Sequence, residues 1–352
     1  MLEKFVTTMA LLTIACASVG GWVWVQGPPV PGSETSSVAQ PTLADDTRDL
    51  GYGYGNPEPD VTAEPAPSTA PSPRLTTGPT RTAPRGSTPS SIPVAPAPVA
   101  ATPAQGGADF TVATFNLLGS SHTKGSHTRA SGPARMTGAL EILAQHQVSV
   151  VGLQEFQSDQ RAAFRSGAPG WETYPGESVG HGAGENSVAW RSDTWELVKA
   201  AVVAIPYFNG RERSMPYVLL RNKASGTQAY FSNFHNPADT NQFRNQQRWR
   251  DEATTREIEL FNRLAATGVP QFVTGDMNER SEYFCRVTAG TTLVAAAGGS
   301  TGTACQPPKP TQIDWILGSK GVTFSDFTID RSALARRTTD HPVVVAHVTI
   351  PS

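Results

Sequence analysis

Polar side chains that could cleave a phosphoester stand at the ends of six apolar segments of this sequence. Alone, each end is an ordinary feature, because Asn, Asp and Gly also form turns and helix caps. Six such ends in one chain are harder to attribute to independent turns, so they predict a shared site. They are Asn116 in ATFNLLG, Glu155 in VVGLQEF, His235 and Asn236 in YFSNFHNPAD, Asp276 and Asn278 in FVTGDMN, Asp314 in QIDWIL, and Asp340 and His341 in TTDHPVVV.

Three of these residues could hold a divalent cation. A hard cation such as Mg²⁺ takes oxygen ligands, usually one or two carboxylates together with phosphate oxygens and water. Glu155 and Asp340 offer carboxylates, and Asn116 offers a neutral oxygen. A cation bound there would polarise a phosphoryl group and stabilise the leaving oxygen.

The remaining residues suit phosphate binding and proton transfer. His235 and His341 could bind the phosphate or move protons, provided that a carboxylate fixes the tautomer of the ring. Asp314 is available to orient His341 in this way. Asp276 could orient or deprotonate the attacking water, while Asn278 donates a hydrogen bond to a phosphoryl oxygen. Together these residue types predict hydrolysis of a phosphodiester.

The segments that must position these residues alternate strand and helix patterns from residue 108 onward. DFTVATFNLL and VSVVGLQEF predict strands, and PARMTGALEILAQHQ and NQFRNQQRWRDEATTREIELFNRLAAT predict helices. Pairs of strands are expected around turns at residues 192–193 and 223–226. Paired strands with occasional helices favour an α/β sandwich, in which two sheets pack face to face with helices outside.

As an ordered set, the motifs FN…G, LQE, HN, GDMN, IDWIL and TDHPVV resemble the endonuclease/exonuclease/phosphatase superfamily, which has the fold of pancreatic-type deoxyribonuclease. The resemblance covers residues 108 to 350. It implies a four-layer α/β sandwich with two mixed β-sheets, and Mg²⁺- or Mn²⁺-dependent attack on a phosphoester. By motif position it implies that Asn116, Glu155 and Asp340 lie on the metal side of the site. It also implies that His235 and His341 flank the phosphate and that Asp314 orients the second of them. Asp276 and Asn278 match the Asp-x-Asn element of the family. Within this family either Asp276 or His341 could be the general base.

Phosphate contacts are assigned less directly by the resemblance. Family members carry an Arg that opens the strand before the first catalytic histidine, and Arg213 fits this spacing better than Arg211. Many members also place a phosphate-contacting Asn or a His-orienting Glu before the strand written here as SVAWR. Asn186 is the candidate there, beside Glu185, and Asn236 is a further candidate for a phosphate contact. Exposed polar residues without a catalytic role remain the alternative for these positions.

The first 107 residues have a different composition from the rest. Residues 1–25 contain an uncharged apolar stretch after Lys4, which predicts a signal peptide or a membrane anchor. Cys16 also leaves lipidation open. Residues 26–107 are rich in Pro, Ser, Thr and Ala and predict a disordered linker, so we expect the catalytic domain to span residues 108–352 and to be exported to the cell surface or beyond.

Cys285 and Cys305 are the two cysteines of the expected domain, 20 residues apart. In an exported protein an even pair favours a disulfide, and two free thiols are the alternative. No further Cys or His stands nearby at the spacing of metal ligands, which argues against a zinc site.

Charge and motifs limit the substrate without choosing it. The chain has 28 basic and 30 acidic residues, a net charge of −2, so it lacks the strong positive field of a typical duplex-DNA-binding protein. We nevertheless rank a nuclease first, a sphingomyelin or phospholipid phosphodiesterase second and a small-molecule phosphatase third.

Two other function classes are disfavoured. A serine hydrolase would need a Gly-x-Ser-x-Gly elbow at the turn from a strand into a helix. A non-catalytic binding module would have lost catalytic groups, yet every expected position is filled. We expect a monomer that acts on a phosphoester, with nucleic acid as one candidate substrate and with membrane anchorage left open.

Overall fold

The computed structural model describes residues 106–352, except 177, 180–181 and 302–303. The predicted signal or anchor segment, and all of the predicted linker except its last two residues, lie outside the described residues. No helix in the described part of the chain is long and apolar enough to cross a membrane.

The first sheet contains six strands from both ends of the domain. They are β1 (Ala108–Asn116), β2 (Val148–Gln154), β3 (Trp171–Tyr174), β4 (Ser187–Arg191), β11 (Thr323–Asp330) and β12 (Val343–Ile350). Their spatial order is β11-β12-β1-β2-β4-β3. β1 and β2 are parallel and every other pair is antiparallel, so the sheet is mixed.

The second sheet takes its six strands from the middle of the chain. They are β5 (Trp195–Pro206), β6 (Glu212–Asn222), β7 (Gln228–His235), β8 (Gln271–Asp276), β9 (Leu293–Ala295) and β10 (Asp314–Ser319). Their order is β5-β6-β7-β8-β10-β9, with β7 and β8 parallel. β4 and β5 are consecutive in sequence but lie in different sheets, so the predicted turn at residues 192–193 carries the chain from one sheet to the other.

In the part of the chain that the structure describes, five α-helices cover the outer faces of the two sheets. They are α1 (Gly132–Gln145), α2 (Ser158–Gly167), α3 (Gln247–Ala265), α4 (Ser281–Gly290) and α5 (Ala333–Thr338). One apolar cluster joins the first sheet to α1, α2 and α5, and another joins the second sheet to α3 and α4. A third lies between the sheets. The four-layer sandwich predicted from the sequence is therefore confirmed.

Aromatic rings fill the space between the two sheets. Phe110 of β1 meets Trp195, Phe231 and Phe272 of the second sheet edge-on, with ring centroids 5.0, 5.7 and 5.4 Å apart. Edge-to-face rings at such distances add to the stabilisation that burial alone gives. This contact fixes how the sheets face each other, and hence how their strand ends meet.

Two segments differ in detail from the sequence prediction. α3 begins at Gln247 and not near Asn241, so residues 241–246 form a loop, and Gln246 of this loop accepts a hydrogen bond from the turn after β5. The segment between β8 and β10, predicted as loop, contains α4 and β9. It also holds the Cys285–Cys305 disulfide, with Cα atoms 5.7 Å apart, which confirms the predicted pairing.

Candidate active site

Strand directions bring the predicted residues of the second sheet to one end of the sandwich. β7 and β8 are parallel, and His235 pairs with Asp276 at their carboxyl ends. β10 runs antiparallel to β8, and its first residue, Asp314, pairs with Asp276 from the other side. Gly275 precedes this pairing, and a Cβ atom there would lie 2.5 Å from the carbonyl oxygen of Phe234. Glycine therefore allows β7 and β8 to approach closely where the site begins.

Asp276 is the centre of the site, 1% exposed. Its Oδ2 accepts a 3.1 Å hydrogen bond from Nδ2 of Asn116 and lies 3.7 Å from Nε2 of His235 and 3.6 Å from Nε2 of His341. Its Oδ1 accepts a 3.0 Å hydrogen bond from the backbone N–H of Asn278. Burial raises the pKa of Asp276 above its ordinary value, although the two histidines oppose this shift. One carboxylate thus joins groups from both sheets.

His341 is held by Asp314 on the side of the ring away from Asp276. Its Nδ1 lies 3.0 and 3.1 Å from the two carboxylate oxygens of Asp314. Burial lowers the pKa of His341, but the charges of Asp314 and Asp276 outweigh it and raise the pKa well above the ordinary value. His341 is therefore poised as a cation that can donate from Nε2 toward the pocket.

For His235 the effect of burial outweighs that of the neighbouring carboxylates. Burial lowers its pKa below the ordinary value, against the opposite influence of Asp276 and Glu155. The hydroxyl of Tyr207 lies 3.5 Å from its Nδ1, and the two rings meet edge-on with centroids 5.6 Å apart. The two histidines therefore face the same carboxylate with different tendencies to carry a proton.

The predicted metal side lies at the end of the first sheet. Nδ2 of Asn116 donates to Oε1 of Glu155 at 3.0 Å, and Oε2 of Glu155 accepts from the backbone N–H of Gly119 at 2.8 Å. Burial raises the pKa of Glu155, but His122, His235 and these hydrogen bonds outweigh it and lower the pKa to about 2. Its φ of 57° is in the left-handed region, a strained backbone conformation of the kind that concentrates at functional sites.

Asp340 is the third predicted ligand, and its metal-side role stays a prediction. It is exposed, and the hydroxyl of the preceding Thr339 donates to the backbone carbonyl of Asn116 at 2.7 Å, which ties the two segments together. An ionised glutamate, a second carboxylate and an amide are hard oxygen donors, so these residues fit Mg²⁺ or Mn²⁺. A second group, Asp276, Asp314 and His341, has ligand atoms within 4.8 Å of one another and could also hold a metal ion.

Arg213 lies where the resemblance implies a phosphate contact. Its guanidinium is 3.1 Å from Oε2 of Glu185 and 4.2 Å from the centroid of the Tyr207 ring, and it lines the pocket. Asn186 follows Glu185 but is fully buried, and neither polar atom of its side chain has a hydrogen-bond partner within the described part of the chain. The phosphate contact of Asn186 stays a prediction.

Asn236 and Asn278 have different surroundings, although both were predicted to act on the phosphate. Asn278 lines the pocket, and its Nδ2 donates to the backbone carbonyl of Asn236 at 2.8 Å. The Asn236 side chain is fully buried next to Glu257 of α3. The structure therefore places Asn236 behind Asn278, and its own contact with phosphate stays a prediction.

Five further residues line the pocket that the sequence analysis did not assign to the site: His122, Gln157, Tyr207, Phe208 and Ala238. Nε2 of His122 lies 3.3 Å from Oε2 of Glu155. His122 stands in a Gly/Ser-rich loop, and Tyr207 and Phe208 stand in a turn. No periodicity distinguishes residues of such segments from solvated ones, so the sequence held no signal for them.

Comparison with known proteins agrees with this geometry. A sequence profile described as the Endonuclease/Exonuclease/phosphatase family matches residues 113–341, which include every predicted site residue. A search of curated proteins found no match.

Solved structures share the fold. A family protein from Bacteroides thetaiotaomicron has a TM-score of 0.56 at 15% identity, covering 70% of this chain and 97% of that one. A mannosyl-6-phosphatase from the same organism has a TM-score of 0.53 at 17% identity, covering 68% and 99%. TDP2 from D. rerio, complexed with a single-stranded DNA product, has a TM-score of 0.50 at 15% identity, covering 68% and 98%. Identities this low show the fold alone.

Proposed function

This chain belongs to the Endonuclease/Exonuclease/phosphatase family of metal-dependent phosphoric ester hydrolases, and from this premise we propose that it hydrolyses phosphodiesters in nucleic acid. The proposal rests on the surroundings of one oxygen atom, Oδ2 of Asp276. The side-chain amide of Asn116 and the Nε2 atoms of His235 and His341 all lie next to it. A carboxylate surrounded by proton donors at the bottom of an open pocket can activate water beside a bound phosphate.

In the proposed mechanism Asp276 is the general base. Its burial raises its pKa, which makes the carboxylate a better proton acceptor near neutral pH. His341 is protonated, because Asp314 and Asp276 raise its pKa, and it donates from Nε2 to a phosphoryl oxygen. This assignment selects Asp276 over His341 as the base. His235 and the amide of Asn278 contact the remaining phosphoryl oxygens from the pocket wall.

Glu155, Asn116 and Asp340 are the proposed ligands of Mg²⁺ or Mn²⁺. The low pKa of Glu155 keeps its carboxylate ionised at neutral pH, as metal binding requires. The cation supplies positive charge that polarises the phosphoryl group and stabilises the leaving oxygen. The alternative trio of Asp276, Asp314 and His341 is less suitable, because a protonated His341 has no free lone pair for a metal ion and its Nδ1–H faces Asp314.

Two observations favour nucleic acid over the other substrate classes. The most exposed large apolar side chains among the described residues are Leu197, Val198 and Val294. None of them lines the pocket, so they give no support to insertion of the pocket mouth into a lipid bilayer. Exposed arginines next to the pocket favour a substrate with several phosphates over a small phosphomonoester such as a sugar phosphate. The single-stranded DNA in the TDP2 complex supports the same class.

Export and a monomeric state are further proposals. The apolar segment 5–25 supports export, and the Cys285–Cys305 disulfide agrees with it, because disulfides persist in oxidising compartments. Cell fractionation tests the location: protein in the medium or at the cell surface supports export, and protein in the cytoplasm contradicts it. Light scattering of the purified chain tests the monomer.

A substrate panel tests the activity. The full chain is incubated with Mg²⁺, Mn²⁺ or EDTA and with plasmid DNA, single-stranded DNA, RNA, sphingomyelin, mannose 6-phosphate and bis(p-nitrophenyl) phosphate. We expect metal-dependent cleavage of a nucleic acid, which Asp276→Asn and His341→Gln lower about 10²-fold or more. His347→Gln is the matched control, since His347 pairs with Asp109 outside the pocket. Absence of metal-dependent cleavage of every phosphoester would refute the enzyme, and preferential cleavage of sphingomyelin or mannose 6-phosphate would refute the nuclease.

A further inference from the structure

Three exposed arginines lie on the two segments that meet at the hairpin turn forming one wall of the pocket. The turn, Phe208–Gly210, joins β5 to β6 and is followed by Arg211. Arg244 and Arg248 lie on the segment that packs against this turn, where the backbone N–H of Asn209 donates to Oε1 of Gln246 at 2.9 Å. Three positive charges are thus presented together beside the pocket.

Neighbouring carboxylates do not neutralise these arginines. Asp239 is engaged by Arg250 at 2.7 Å, and Glu212 by Arg256 at 2.8 Å. Within the described part of the chain, no carboxylate oxygen lies within 4.0 Å of a guanidinium nitrogen of Arg211, Arg244 or Arg248. The positive charge of this surface is therefore available to an anion.

Aromatic rings connect the arginines with the catalytic groups. Phe208 lines the pocket and stacks on Phe243, with centroids 4.4 Å apart and planes 10° apart. The guanidinium of Arg248 lies 4.2 Å from the centroid of Trp249, whose ring lies against Gly210. Phe243 and Trp249 are both partly exposed. We call Arg211, Arg244, Arg248, Phe243 and Trp249 the arginine–aromatic patch.

We propose that the arginine–aromatic patch binds single-stranded nucleic acid beyond the scissile phosphate, with the arginines on phosphates and the rings against bases. The inference rests on the proposed nuclease function and names the strand form of its substrate. Guanidinium groups interleaved with aromatic side chains are the usual means of holding single strands, whose unpaired bases can stack on rings. Double-stranded DNA keeps its bases inside the helix and offers only phosphates to such a surface.

Substitution of the arginines, and separately of an aromatic residue, tests binding by the patch independently of catalysis. In an Asp276→Asn background with EDTA, fluorescence anisotropy measures binding of oligodeoxythymidine and of its abasic analogue. Replacing Arg211, Arg244 and Arg248 by Gln should weaken binding at least tenfold. It should also reduce the slope of log affinity against log salt by about 2, because each phosphate contact on a single strand contributes about 0.7. A control replaces the exposed Arg165, Arg263 and Lys320 by Gln and should leave the slope unchanged.

The ring is tested by Phe243→Ala. It should weaken oligodeoxythymidine binding about tenfold and abasic binding much less, since stacking requires a base. With Asp276 restored, the triple arginine variant should hydrolyse bis(p-nitrophenyl) phosphate within twofold of the native rate, which shows that the fold and the catalytic groups are intact.

The outcomes separate this inference from the proposed function. A native chain that hydrolyses no nucleic acid refutes the proposed function. An active chain whose triple variant binds the oligonucleotide with unchanged affinity and salt slope refutes the patch alone. If the triple variant keeps oligonucleotide binding but no longer binds phosphatidylglycerol vesicles, the surface contacts a membrane instead.

Discussion

Both carboxylate oxygens of Asp314 lie within hydrogen-bond distance of a single nitrogen of His341, at 3.0 and 3.1 Å from Nδ1. This arrangement fixes the tautomer and orientation of the ring, so that Nε2 faces Asp276 at 3.6 Å. Asp314 begins β10 of the second sheet, and His341 lies two residues before β12 of the first sheet. Packing of the sheets is therefore a condition for the orientation of His341.

Asp314→Asn should lower kcat about 10²-fold or more while KM changes little, because the ring loses its orientation and its charge. The charge of Asp314 raises the pKa of His341, so in the variant His341 loses its proton at lower pH and the alkaline limb of the kcat profile moves down. Steady-state kinetics across pH measures both effects. Asp330→Asn removes the carboxylate of the His146–Asp330 pair, which does not line the pocket, and should leave the profile unchanged. An unshifted alkaline limb in Asp314→Asn would contradict the role of His341 as a cation.

Glu155→Gln should abolish most metal binding, with at least a tenfold loss of Mn²⁺ affinity by isothermal titration. The native pKa of about 2 means that Glu155 is ionised at pH 5, so native binding should persist there. Glu282→Gln changes an exposed glutamate of α4 and is the matched control. If Glu155→Gln and the native chain bind Mn²⁺ with equal affinity, Glu155 is not a ligand, and the metal site must be assigned to Asp276, Asp314 and His341 instead.

Glu257→Gln should change the dependence of stability on pH. Burial raises the pKa of Glu257 from 4.5 to about 7, although Tyr283 and Asn236 oppose this shift. The native state holds this proton more tightly than the unfolded state. The stability that the proton contributes is complete below pH 4.5 and is lost as pH rises through about 7. Gln does not titrate, so the variant does not lose this stability as pH rises.

Urea unfolding of both chains between pH 4 and 8.5 isolates this effect, because all other groups, including Glu279 and Arg286 nearby, are common to both chains. Relative to the native chain, the variant should gain on the order of 2–3 kcal/mol of unfolding free energy between pH 4.5 and 8. A difference that is constant with pH would show that Glu257 is not protonated in the native state at pH 5–6.

Gly152→Ala should destabilise the fold by about 1–3 kcal/mol through overpacking. A Cβ atom at Gly152 would lie 2.0 Å from Oγ1 of Thr274 and 2.4 Å from Oδ1 of Asn233, in the second sheet. Gly170 has no atom within 4 Å of an added Cβ, so Gly170→Ala is the matched control for thermal unfolding. Equal melting temperatures for the two variants would show that the sheets can move apart at this level.

The sequence by itself determined the class of the protein and most residues of the site. Alternating apolar residues define strands, and a polar residue just after such a run must lie at a strand end. The order of those residue types indicated the family, whereas the parallel pairing that makes His235 and Asp276 neighbours is seen only in the structure. The disulfide followed from a count of two cysteines.

Only the tertiary structure decided how side chains that are distant in sequence share space. Nε2 of Gln154 donates to Oδ1 of Asn233 at 2.6 Å across the two sheets, a buried contact that no local pattern encodes. Asn236 follows His235 directly, yet its side chain is buried next to Glu257, because successive residues of an extended chain point to opposite sides. Loop residues such as His122 line the pocket for a reason that the sequence pattern does not contain. Hydrophobic periodicity indicates strands and helices, whereas the packing of the whole chain determines where loops lie.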